Sequence, residues 1–530
     1  MRAGCKVAMK QDAPGCDHHR HWVRVMGVNL DLIGAKGEEI RSGVVTYYHN
    51  CKNNLLSALR NRVLADVPKA SKGGIKSLQR QARKMTRKLH AVAPWTRDDV
   101  LGHYKGAKRK RYADAADRFE EEGVTHRDSV VDLFVKSEAT PIVKTFKAPR
   151  AIQPRSYVYG YSIARFIKPI EEVIYLLRGF GQKGVNNSRV IAKGLSQTQR
   201  AKLLLKKSAN FSDPVWMTLD ASRFDLHVSK EQLNIEHSVY LSMLNNPEFA
   251  RLLKMQLVNQ GRVRSLGLKY TCDGGRMSGD MNTAVGNCVL MVLMVEEMMT
   301  RLRCPKYDIL DDGDDIIVIV EKGWELVLKE KAFEIFLDFG HEVKIENIAY
   351  TFEDLEWCQC HPVEFEYGRW KLVRNPVKIL TKGIAGTKYF TNPDEKTRRK
   401  LINSVGHCEL VLNLGVPVLQ SFGEALIRLS GTTELLKFDS VDEYYHRINK
   451  ELKAMNVPLE KVKGREITFE ARCSFERAFG ITVSDQVELE EWLENLEVSI
   501  LGGEEVADEV DMHARNRFFG SPTSLYSMRE

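Results

Sequence analysis

Four aspartates lie within five residues of one another, at positions 311, 312, 314 and 315. Apolar residues that favour β-strands precede and follow them, so the pattern predicts a strand, a tight turn and a second strand, with the acids at the tip and Gly313 giving the turn its backbone freedom. Clustered carboxylates repel one another unless cations neutralise them. The cluster favours a divalent-metal site for phosphoryl transfer. The alternative interpretation is a solvated acidic turn, because so short a motif is often matched by chance.

Two further acids follow a second predicted strand. Residues 215–219 are apolar and predict a buried strand, with Asp220 at its C-terminal end and Asp225 five residues later. The end of a strand is where a sheet can present metal ligands. The alternative role, an N-cap for the helix expected from about Ser229, explains at most one of these two acids.

A glycine-containing loop over residues 274–279 precedes an apolar stretch, residues 282–294, that predicts a helix. Thr283 and Asn287 are four residues apart and therefore share one face of that helix. The small residues between them allow another group to approach closely. A helix that only packed in a core would not need two polar side chains on one face beneath such a loop.

Residues 134–155 alternate basic and apolar side chains and contain three prolines, which predicts an extended basic loop. Arginine forks and lysine point charges suit the phosphates of a triphosphate, so the loop is a candidate triphosphate clamp. The alternative is a solvated hairpin. The candidate phosphate ligands in this loop are Lys144, Lys147, Arg150 and Arg155.

A second basic segment spans residues 104–112. Its five cations are Lys105, Lys108, Arg109, Lys110 and Arg111. One interpretation is contact with RNA phosphates, with Tyr104 and Tyr112 available to stack on bases. The other, equally compatible with the composition, is a solvated helix face or a localisation signal.

Composition sets broad limits on the class of protein. At 530 residues the chain is long enough for two to four subdomains, and its net charge of +9 suits a polyanionic partner without identifying one. Its ten cysteines are irregularly spaced, which favours a reducing compartment over a disulfide framework. The apolar run at 288–295 is too short to span a bilayer and no signal peptide is visible, so we expect no transmembrane segment.

Two groups of cysteine and histidine are weaker candidates for metal binding. The N-terminal group fits no compact zinc template; its members are Cys5, Cys16, His18, His19 and His21, followed by His49 and Cys51. Cys358 and Cys360 alternate with His361 in a predicted hairpin over residues 356–376, so they point to opposite faces. For that second group we favour the core of a hairpin over a metal site.

Taken in chain order, these motifs resemble the RNA-dependent RNA polymerases of positive-strand RNA viruses, most closely those of the tombusvirus-like group. DASRFD (220–225), SGDMNTAVGN (278–287) and DGDD (312–315) resemble the first three motifs of the family's palm. KAPRAIQPR (147–155) resembles its basic finger motif, Lys344 matches its fourth-motif lysine, and EWCQCHPV (356–363) resembles its primer-gripping hairpin. The resemblance covers roughly residues 100–380. It departs at Asp312, where many relatives carry another residue.

The resemblance implies an α+β fold shaped as a right hand, with fingers, palm and thumb and an antiparallel palm sheet of the RRM-like type. The segments implied are an N-terminal extension with fingertips (1–100), fingers (101–214), palm with the first metal motif (215–235), a fingers insertion (236–268), palm (269–365), thumb (366–480) and an acidic, partly disordered tail (481–530).

The resemblance also implies template-directed RNA synthesis from NTPs by a two-metal mechanism. Asp220 and Asp314 would be the principal ligands of two Mg²⁺ (or Mn²⁺) ions, assisted by Asp315. These ions prefer oxygen donors, which carboxylates supply. Lys344 would protonate the leaving pyrophosphate.

Substrate contacts are implied at further positions. Asp225 and Asn287, with Ser278 or Thr283, would recognise the ribose 2′-hydroxyl, the group that distinguishes RNA from DNA. Gly279 belongs to the same motif and to the same substrate site. The cations of the 134–155 loop would hold the triphosphate and the template.

The implied partners are the RNA template, the nascent RNA and NTPs, with a viral replication co-factor or host factors bringing the enzyme to membranes in the host cytoplasm. Two competing hypotheses are a reverse transcriptase or other palm polymerase, and a non-catalytic RNA-binding protein that uses the basic segments. The Asp225 and Asn287 pair disfavours the first, and the intact acids disfavour the second.

Overall fold

The computed structural model describes residues 5–8, 20–24, 44–48, 50–136, 140–141, 148–382, 395–436 and 442–495. Helices and strands alternate along them, which confirms the predicted mixture of helix and sheet. The N-terminal candidates Cys16, His18, His19 and His49, the loop lysines Lys144 and Lys147, and the tail beyond residue 495 lie outside the described residues.

The strands of the described residues vary in length, and the longest, Pro214–Ala221, has eight residues. They are β1 (Lys6–Ala8), β2 (Arg20–Arg24), β3 (Val44–Tyr48), β4 (Val131–Asp132), β5 (Phe134–Val135), β6 (Thr140–Pro141), β7 (Ala151–Ile152), β8 (Pro214–Ala221), β9 (Val258–Val263), β10 (Leu268–Asp273), β11 (Tyr307–Asp311), β12 (Asp315–Glu321), β13 (Val343–Ala349), β14 (Cys360–Glu366) and β15 (Arg369–Arg374).

The α-helices cover these sheets and form most of the C-terminal part. They are α1 (Lys52–Arg62), α2 (Lys72–Thr86), α3 (Arg97–His103), α4 (Gly106–Glu122), α5 (Tyr157–Ile174), α6 (Gln197–Ser208), α7 (Phe224–His227), α8 (Lys230–Met243), α9 (Pro247–Lys254), α10 (Thr283–Leu302), α11 (Trp324–Asp338), α12 (Pro376–Lys382), α13 (Glu395–Leu412), α14 (Leu419–Ser430), α15 (Asp442–Met455), α16 (Phe469–Phe479) and α17 (Val483–Glu494).

One antiparallel sheet, in the strand order β11-β12-β8-β13, holds the predicted acidic hairpin. Strand β12 is apolar from Ile316 to Val320 because both of its faces are covered. Along β12, Ile316, Val318 and Val320 join the main core, whereas Ile317 and Ile319 join a second cluster on the other face. The hairpin turns at Gly313, whose φ of 108° favours glycine.

Helix α10 runs through the main core. Within the described residues it is the one stretch, Thr283–Arg301, that is long and apolar enough to cross a membrane, and 78% of its apolar window is buried inside the protein. It contacts α2, α5, α8 and α11, which is the environment of a core helix. The helix begins directly after the glycine-containing loop, so the core fixes the position of that loop.

The remaining described strands form smaller sheets, in the orders β1-β10-β9-β4, β2-β3-β6, β5-β7 and β14-β15. The hairpin β14-β15 lies within the stretch predicted for it. Its apolar residues Val363, Phe365 and Val373 share a separate core with the C-terminal helices. The predicted segment boundaries stay a prediction, because secondary structure alone does not divide the chain at those points.

Candidate active site

The central sheet brings the predicted carboxylates together. Asp220, the penultimate residue of β8, lies directly opposite Asp315, the first residue of β12. On its other side Asp220 lies opposite Lys344 of β13. Asp314 occupies the turn, is exposed, and is tied to β8 because its carbonyl oxygen accepts a hydrogen bond from the Ala221 amide at 3.3 Å. Four predicted catalytic residues therefore lie at one edge of one sheet.

These carboxylates lie close enough to alter each other's ionisation. Burial and the neighbouring charges of Asp314 and Asp220 raise the pKa of Asp315 to about 7. Burial and Asp314 also raise the pKa of Asp220, and the positive charge of Lys344 opposes that rise. Ionising all three acids is therefore unfavourable unless cations are bound.

The donor set fits a hard divalent cation in type and charge. Carboxylate oxygens are the ligands that Mg²⁺ and Mn²⁺ prefer. Among the described residues, no group of three or more His, Cys, Asp or Glu side chains is assembled as a complete metal cage. The carboxylates of Asp220, Asp314 and Asp315 lie at the same edge of the sheet.

Neither described part of the cysteine and histidine groups forms such a cage. The thiol of Cys360 donates to the Cys358 carbonyl oxygen at 3.5 Å, and a ring nitrogen of His361 lies 3.0 Å from the Glu353 carbonyl oxygen. These contacts agree with the interpretation that the 356–363 segment is part of a hairpin core.

Asp312 has a role that the sequence did not suggest. Its carboxylate lies 2.9 Å from the ammonium of Lys193 and 2.8 Å from the guanidinium of Arg200. Burial alone would raise the pKa of Asp312, but the charges of Arg200 and Lys193 outweigh burial and lower it. Arg200 also lies over the Trp357 ring, 5.2 Å from its centroid. Asp312 therefore anchors the hairpin tip to α6 and to the segment before it.

Asp311 ends β11, as predicted, and is fully buried. Burial raises the pKa of its carboxyl well above the ordinary value. One carboxyl oxygen accepts a hydrogen bond from the Gly313 amide at 3.2 Å, which supports the turn from within.

The second cluster joins Asp225 to the loop and to the start of α10. The Asn287 side-chain amide donates to the Asp225 carboxylate at 2.9 Å, and the Ser278 hydroxyl donates to its other oxygen. The Thr283 hydroxyl instead donates to the Met277 carbonyl oxygen at 3.2 Å. Of the two alternatives, Ser278 is the residue that joins the pair.

One acceptor in this cluster is left over. The side-chain oxygen of Asn287 is buried and has no hydrogen-bond partner among the described residues. A buried acceptor without a partner is costly, and it is suited to a ligand hydroxyl. Neither Asp220 nor Asp225 caps α8, because the Ser229 side chain is the cap.

A buried polar network holds the loop in place. Arg276 donates to Glu236 at 3.1 Å through one nitrogen and pairs with its second carboxylate oxygen through another. The Asn282 side chain donates to the same carboxylate at 2.9 Å. Gly286 of α10 leaves room for this network, since a Cβ there would lie 2.6 Å from Arg276 Nη2. Sequence reasoning missed Glu236 and Arg276, because no spacing links residues 40 positions apart.

Gly279 packs against the end of the basic loop. A Cβ at Gly279 would lie 3.2 Å from the Pro154 nitrogen, and its φ of 127° favours glycine. The neighbouring Ser278 carbonyl oxygen accepts a hydrogen bond from the Gln153 amide at 2.7 Å. The two predicted substrate segments are therefore adjacent.

The two described cations of the basic loop differ in position. Arg150 is exposed, and its charge opposes a rise in the pKa of Asp314. That rise comes from the surrounding protein atoms, which partly desolvate the Asp314 carboxyl group although the residue reaches the surface. The side chain of Arg155 is 2% exposed. Its guanidinium pairs with Asp280 at 2.6 Å and donates to Asn259 and to the Ser129 carbonyl oxygen. The prediction that Arg155 binds phosphate disagrees with this position, because its donors are committed to protein groups.

The basic segment 104–112 includes the first turns of α4. Its five predicted cations are all exposed. Tyr104 and Tyr112 are buried and stack on each other with ring centroids 4.2 Å apart. Of the two interpretations left open, the one in which these tyrosines stack on bases disagrees with the structure, because both rings are buried and each covers the other.

Comparison with known proteins identifies relatives along most of the chain. The model of a family described as viral RNA-dependent RNA polymerase matches residues 53–500. Three similar proteins, each named RNA-directed RNA polymerase, are from Groundnut rosette virus (31% identical over 91% of this chain), Tomato bushy stunt virus (32% over 87%) and Turnip crinkle virus (31% over 85%).

The matched regions make up only part of those relatives. The alignments cover 55%, 55% and 58% of the three proteins, respectively. The chain thus spans little more than half the length of the curated relatives it matches.

Proposed function

The chain belongs to the viral RNA-dependent RNA polymerase family, and from this premise we propose that it joins NTPs into RNA on an RNA template. The observation that carries the proposal is the register that sets Asp220 beside Asp315 and next to the exposed Asp314. Carboxylates gathered on neighbouring strands are what a metal-assisted nucleotidyl transfer requires.

In this proposal Asp220 and Asp314, assisted by Asp315, hold two Mg²⁺ or Mn²⁺ ions. When bound there, such ions would supply the positive charge that activates an attacking 3′-hydroxyl and neutralises a leaving pyrophosphate. The raised pKa of Asp315 supports this assignment, because a site that disfavours three free carboxylates favours their neutralisation by cations. Lys344, opposite Asp220, carries an exposed ammonium on the same edge and is proposed to donate the proton to pyrophosphate.

Ribose selection is proposed for Asp225, Asn287 and Ser278. A 2′-hydroxyl both donates and accepts, and the cluster offers a carboxylate together with an amide oxygen that is not yet satisfied. Thr283 and Gly279 shape the loop and helix start around that cluster. Arg150, with Lys144 and Lys147 of the same loop, is proposed to bind the triphosphate, since Arg150 acts electrostatically on Asp314.

We also propose the right-hand arrangement, in which the sheet of β8, β11, β12 and β13 is the RRM-like palm and the helices after β15 are the thumb. The partners proposed are template and nascent RNA, NTPs, and a replication co-factor or host protein that recruits the enzyme to membranes of the host cytoplasm. The exposed cations of α4 are proposed as an RNA-binding face.

The test is synthesis by purified protein given an RNA template, NTPs and Mg²⁺ or Mn²⁺. We expect template-dependent product from the parent and at least a 100-fold lower rate from Asp314→Asn, because one metal ligand loses its charge. Asp114→Asn, an exposed change on α4, is the matched control and should retain the parent rate.

Two outcomes would reject the proposal. One is the absence of template-dependent product from the parent. The other is a parent-like rate in Asp314→Asn. Equal incorporation of dNTPs and NTPs by the parent would favour the reverse-transcriptase alternative instead.

A further inference from the structure

The side chains of Arg155 and Asp280 form a buried ion pair that has no role in the chemistry proposed above. The Arg155 Nε donates to one carboxylate oxygen of Asp280 at 2.6 Å, and Nη2 donates to the other at 3.0 Å. The two side chains are 2% and 6% exposed, so water screens the pair very little. A guanidinium that meets a carboxylate through two donors fixes the orientation of its partner as well as the distance to it. The pair therefore holds the end of the basic loop firmly against the segment that leads into α10.

A second contact of Arg155 extends this connection to the start of the loop over residues 274–282. The Arg155 Nη2 also donates to the side-chain oxygen of Asn259. The side-chain amide of Asn259 donates in turn to the Gly274 carbonyl oxygen at 3.3 Å. Arg155 is thus connected to the loop near its end, through Asp280, and at its beginning, through Asn259.

The backbone just before Arg155 holds the middle of the same loop. The Gln153 amide donates to the Ser278 carbonyl oxygen at 2.7 Å. Ser278 is also the residue whose hydroxyl donates to the carboxylate of Asp225 in the proposed ribose site. The position of Ser278 beside Asp225 therefore depends on where residues 153–155 lie.

On its other side, Arg155 is five residues away from Arg150, the proposed triphosphate ligand. The connection between them includes β7, which pairs with β5. The Lys136 amide donates to the Arg150 carbonyl oxygen at 2.8 Å, so the connection is also hydrogen bonded at its first residue. Because this connection is short and paired, a displacement of Arg155 is passed on to Arg150.

We propose that Arg155 and Asp280 are positioning residues that hold the ribose site and the triphosphate loop in one fixed geometry. This inference rests on the proposed polymerase function, which assigns the ribose to Asp225, Asn287 and Ser278. Arg155 acts through its partners, because its donors are committed to protein groups. A site distinguishes a 2′-hydroxyl from a hydrogen atom only while its polar groups stay in place, so the pair controls the selection of NTPs over dNTPs.

The test variant is Asp280→Asn, which leaves the buried guanidinium of Arg155 without a countercharge. The matched control is Glu490→Gln, which weakens another two-donor pair. There the Arg472 guanidinium of α16 donates to both carboxylate oxygens of Glu490 in α17, at 3.2 and 2.8 Å. Thermal melting verifies that both variants are folded and measures the stability that each one loses.

Two measurements are made on each protein. Competitive incorporation on an RNA template with Mg²⁺ measures the discrimination between NTPs and dNTPs. Hydrogen exchange followed by mass spectrometry measures amide protection in residues 150–156 and 274–282 of the protein without template or nucleotides. The second measurement needs no catalysis and reports directly on whether the two segments are held together.

We expect Asp280→Asn to lower the discrimination for NTPs over dNTPs about tenfold, because Ser278 and Asp225 are no longer held in register. Amide exchange should become faster in both segments, since each depends on Arg155. Glu490→Gln should also lose thermal stability, while it keeps the parent discrimination and the parent exchange in both segments.

A third variant shows whether the two residues act as one pair. Arg155→Lys keeps the positive charge but loses the two-donor fork, so it should lower discrimination less than Asp280→Asn does. The combination of Arg155→Lys with Asp280→Asn should lower discrimination no further than Asp280→Asn alone, because changes to the two members of one pair are not additive.

Parent-like discrimination in folded Asp280→Asn would overturn the proposal. Effects that multiply in the combined variant would overturn it too, as would an equal loss of discrimination in Glu490→Gln. A parent that makes no product would count against the polymerase function. Unchanged amide exchange in Asp280→Asn would instead count against the positioning role, whether or not the parent is active.

Discussion

The carboxylate of Asp312 lies between two cations, while Asp314 and Asp220 lie at the sheet edge where metal is proposed to bind. Asp312 is 14% exposed, so little water screens its two ion pairs. The hairpin tip is thereby fixed to Arg200, which also contacts Trp357. At the scale of single residues, Asp312 therefore holds the hairpin tip that carries the other three aspartates.

Removing the charge of Asp312 should reduce kcat more than it weakens the binding of NTPs. In Asp312→Asn the cations Lys193 and Arg200 lose their partner, which we expect to cost about 2 kcal/mol of unfolding free energy and to lower kcat about tenfold, with KM for NTPs within about twofold. Asp312→Glu keeps the charge and should recover most of kcat. Steady-state kinetics and urea unfolding measure both effects, with Asp114→Asn as the control.

A purely structural role for Asp312 would give another pattern. Loss of stability with unchanged kcat in the folded fraction would contradict positioning, as would an Asp312→Glu variant no better than Asp312→Asn.

The sequence allowed some contacts between residues to be predicted and not others. The family resemblance implied that Asp225 and Asn287 act together, and their side chains are hydrogen bonded at 2.9 Å. The partners of Asp312 could not be inferred, because Arg200 is 112 positions away and is an ordinary helix residue by composition. Such an ion pair is set by tertiary packing, which leaves no local periodic signal.

At the scale of elements, the loop over residues 274–282 is supported by the buried Glu236 and Arg276 pair beneath α10. Burial would raise the pKa of Glu236, but the charge of Arg276 outweighs burial and lowers it. The Arg276 amide also donates to the Asp225 carbonyl oxygen at 3.0 Å, so the network reaches the proposed ribose site. Both the glycines of the loop and the buried network beneath α10 therefore determine the conformation of the loop.

We predict that Gly286→Ala disrupts this support. The new Cβ would collide with Glu236 and lie 2.6 Å from Arg276 Nη2, in a pair that cannot move without losing hydrogen bonds. Overpacking of this kind costs about 2 to 3 kcal/mol, and we expect it to lower discrimination for NTPs over dNTPs as well. Urea unfolding and competitive incorporation measure the two effects.

Gly102→Ala in α3 is the matched control, because a Cβ there meets no atom within 4 Å. It should be neutral or stabilising by up to about 1 kcal/mol, as expected for alanine in a helix. Equal stability of Gly286→Ala and Gly102→Ala would show that the network yields to the extra methyl group.

Elements with one clear periodicity were predictable. The acidic hairpin was expected because β-branched residues flank a glycine turn, and β11 and β12 have that form. The basic segment 104–112 was ambiguous, since its composition could not show that Tyr104 and Tyr112 stack across the bend between α3 and α4. The inward position of those rings depends on the angle between two helices, which the sequence of neither one determines.

At the scale of the whole molecule, the register of one sheet connects distant parts of the chain. β8 pairs with both β12 and β13, so residues near 220, 315 and 344 share one edge. The order of these strands was not predictable from the sequence pattern alone, because the pattern of each strand does not specify which neighbour it pairs with. The family resemblance supplied the expectation that their acids meet.

The free energy of unfolding should depend on pH through the buried histidine His341. His341 is fully buried, with its ring 5.6 Å from that of His227 and one nitrogen 3.3 Å from Gln232. Burial, with the charge of His227, lowers the pKa of His341 to about 3. Below about pH 6.5 the histidine at position 341 binds a proton in the unfolded chain but not in the folded protein. The free energy of unfolding is therefore highest above pH 6.5 and decreases as the pH falls.

We predict that His341→Gln reduces the acid sensitivity of folding. Between pH 7.5 and 5.5 the parent should lose about 1.4 kcal/mol more unfolding free energy than the variant, which is the cost of one unprotonated histidine over that range. The test compares the parent with the variant because other groups also titrate in this range. Asp315, with its raised pKa, increases the free energy of unfolding as the pH falls from about 7 to 4, in both proteins. His90→Gln, an exposed change, should keep the parent's pH dependence, and an identical loss in His341→Gln would contradict the assignment.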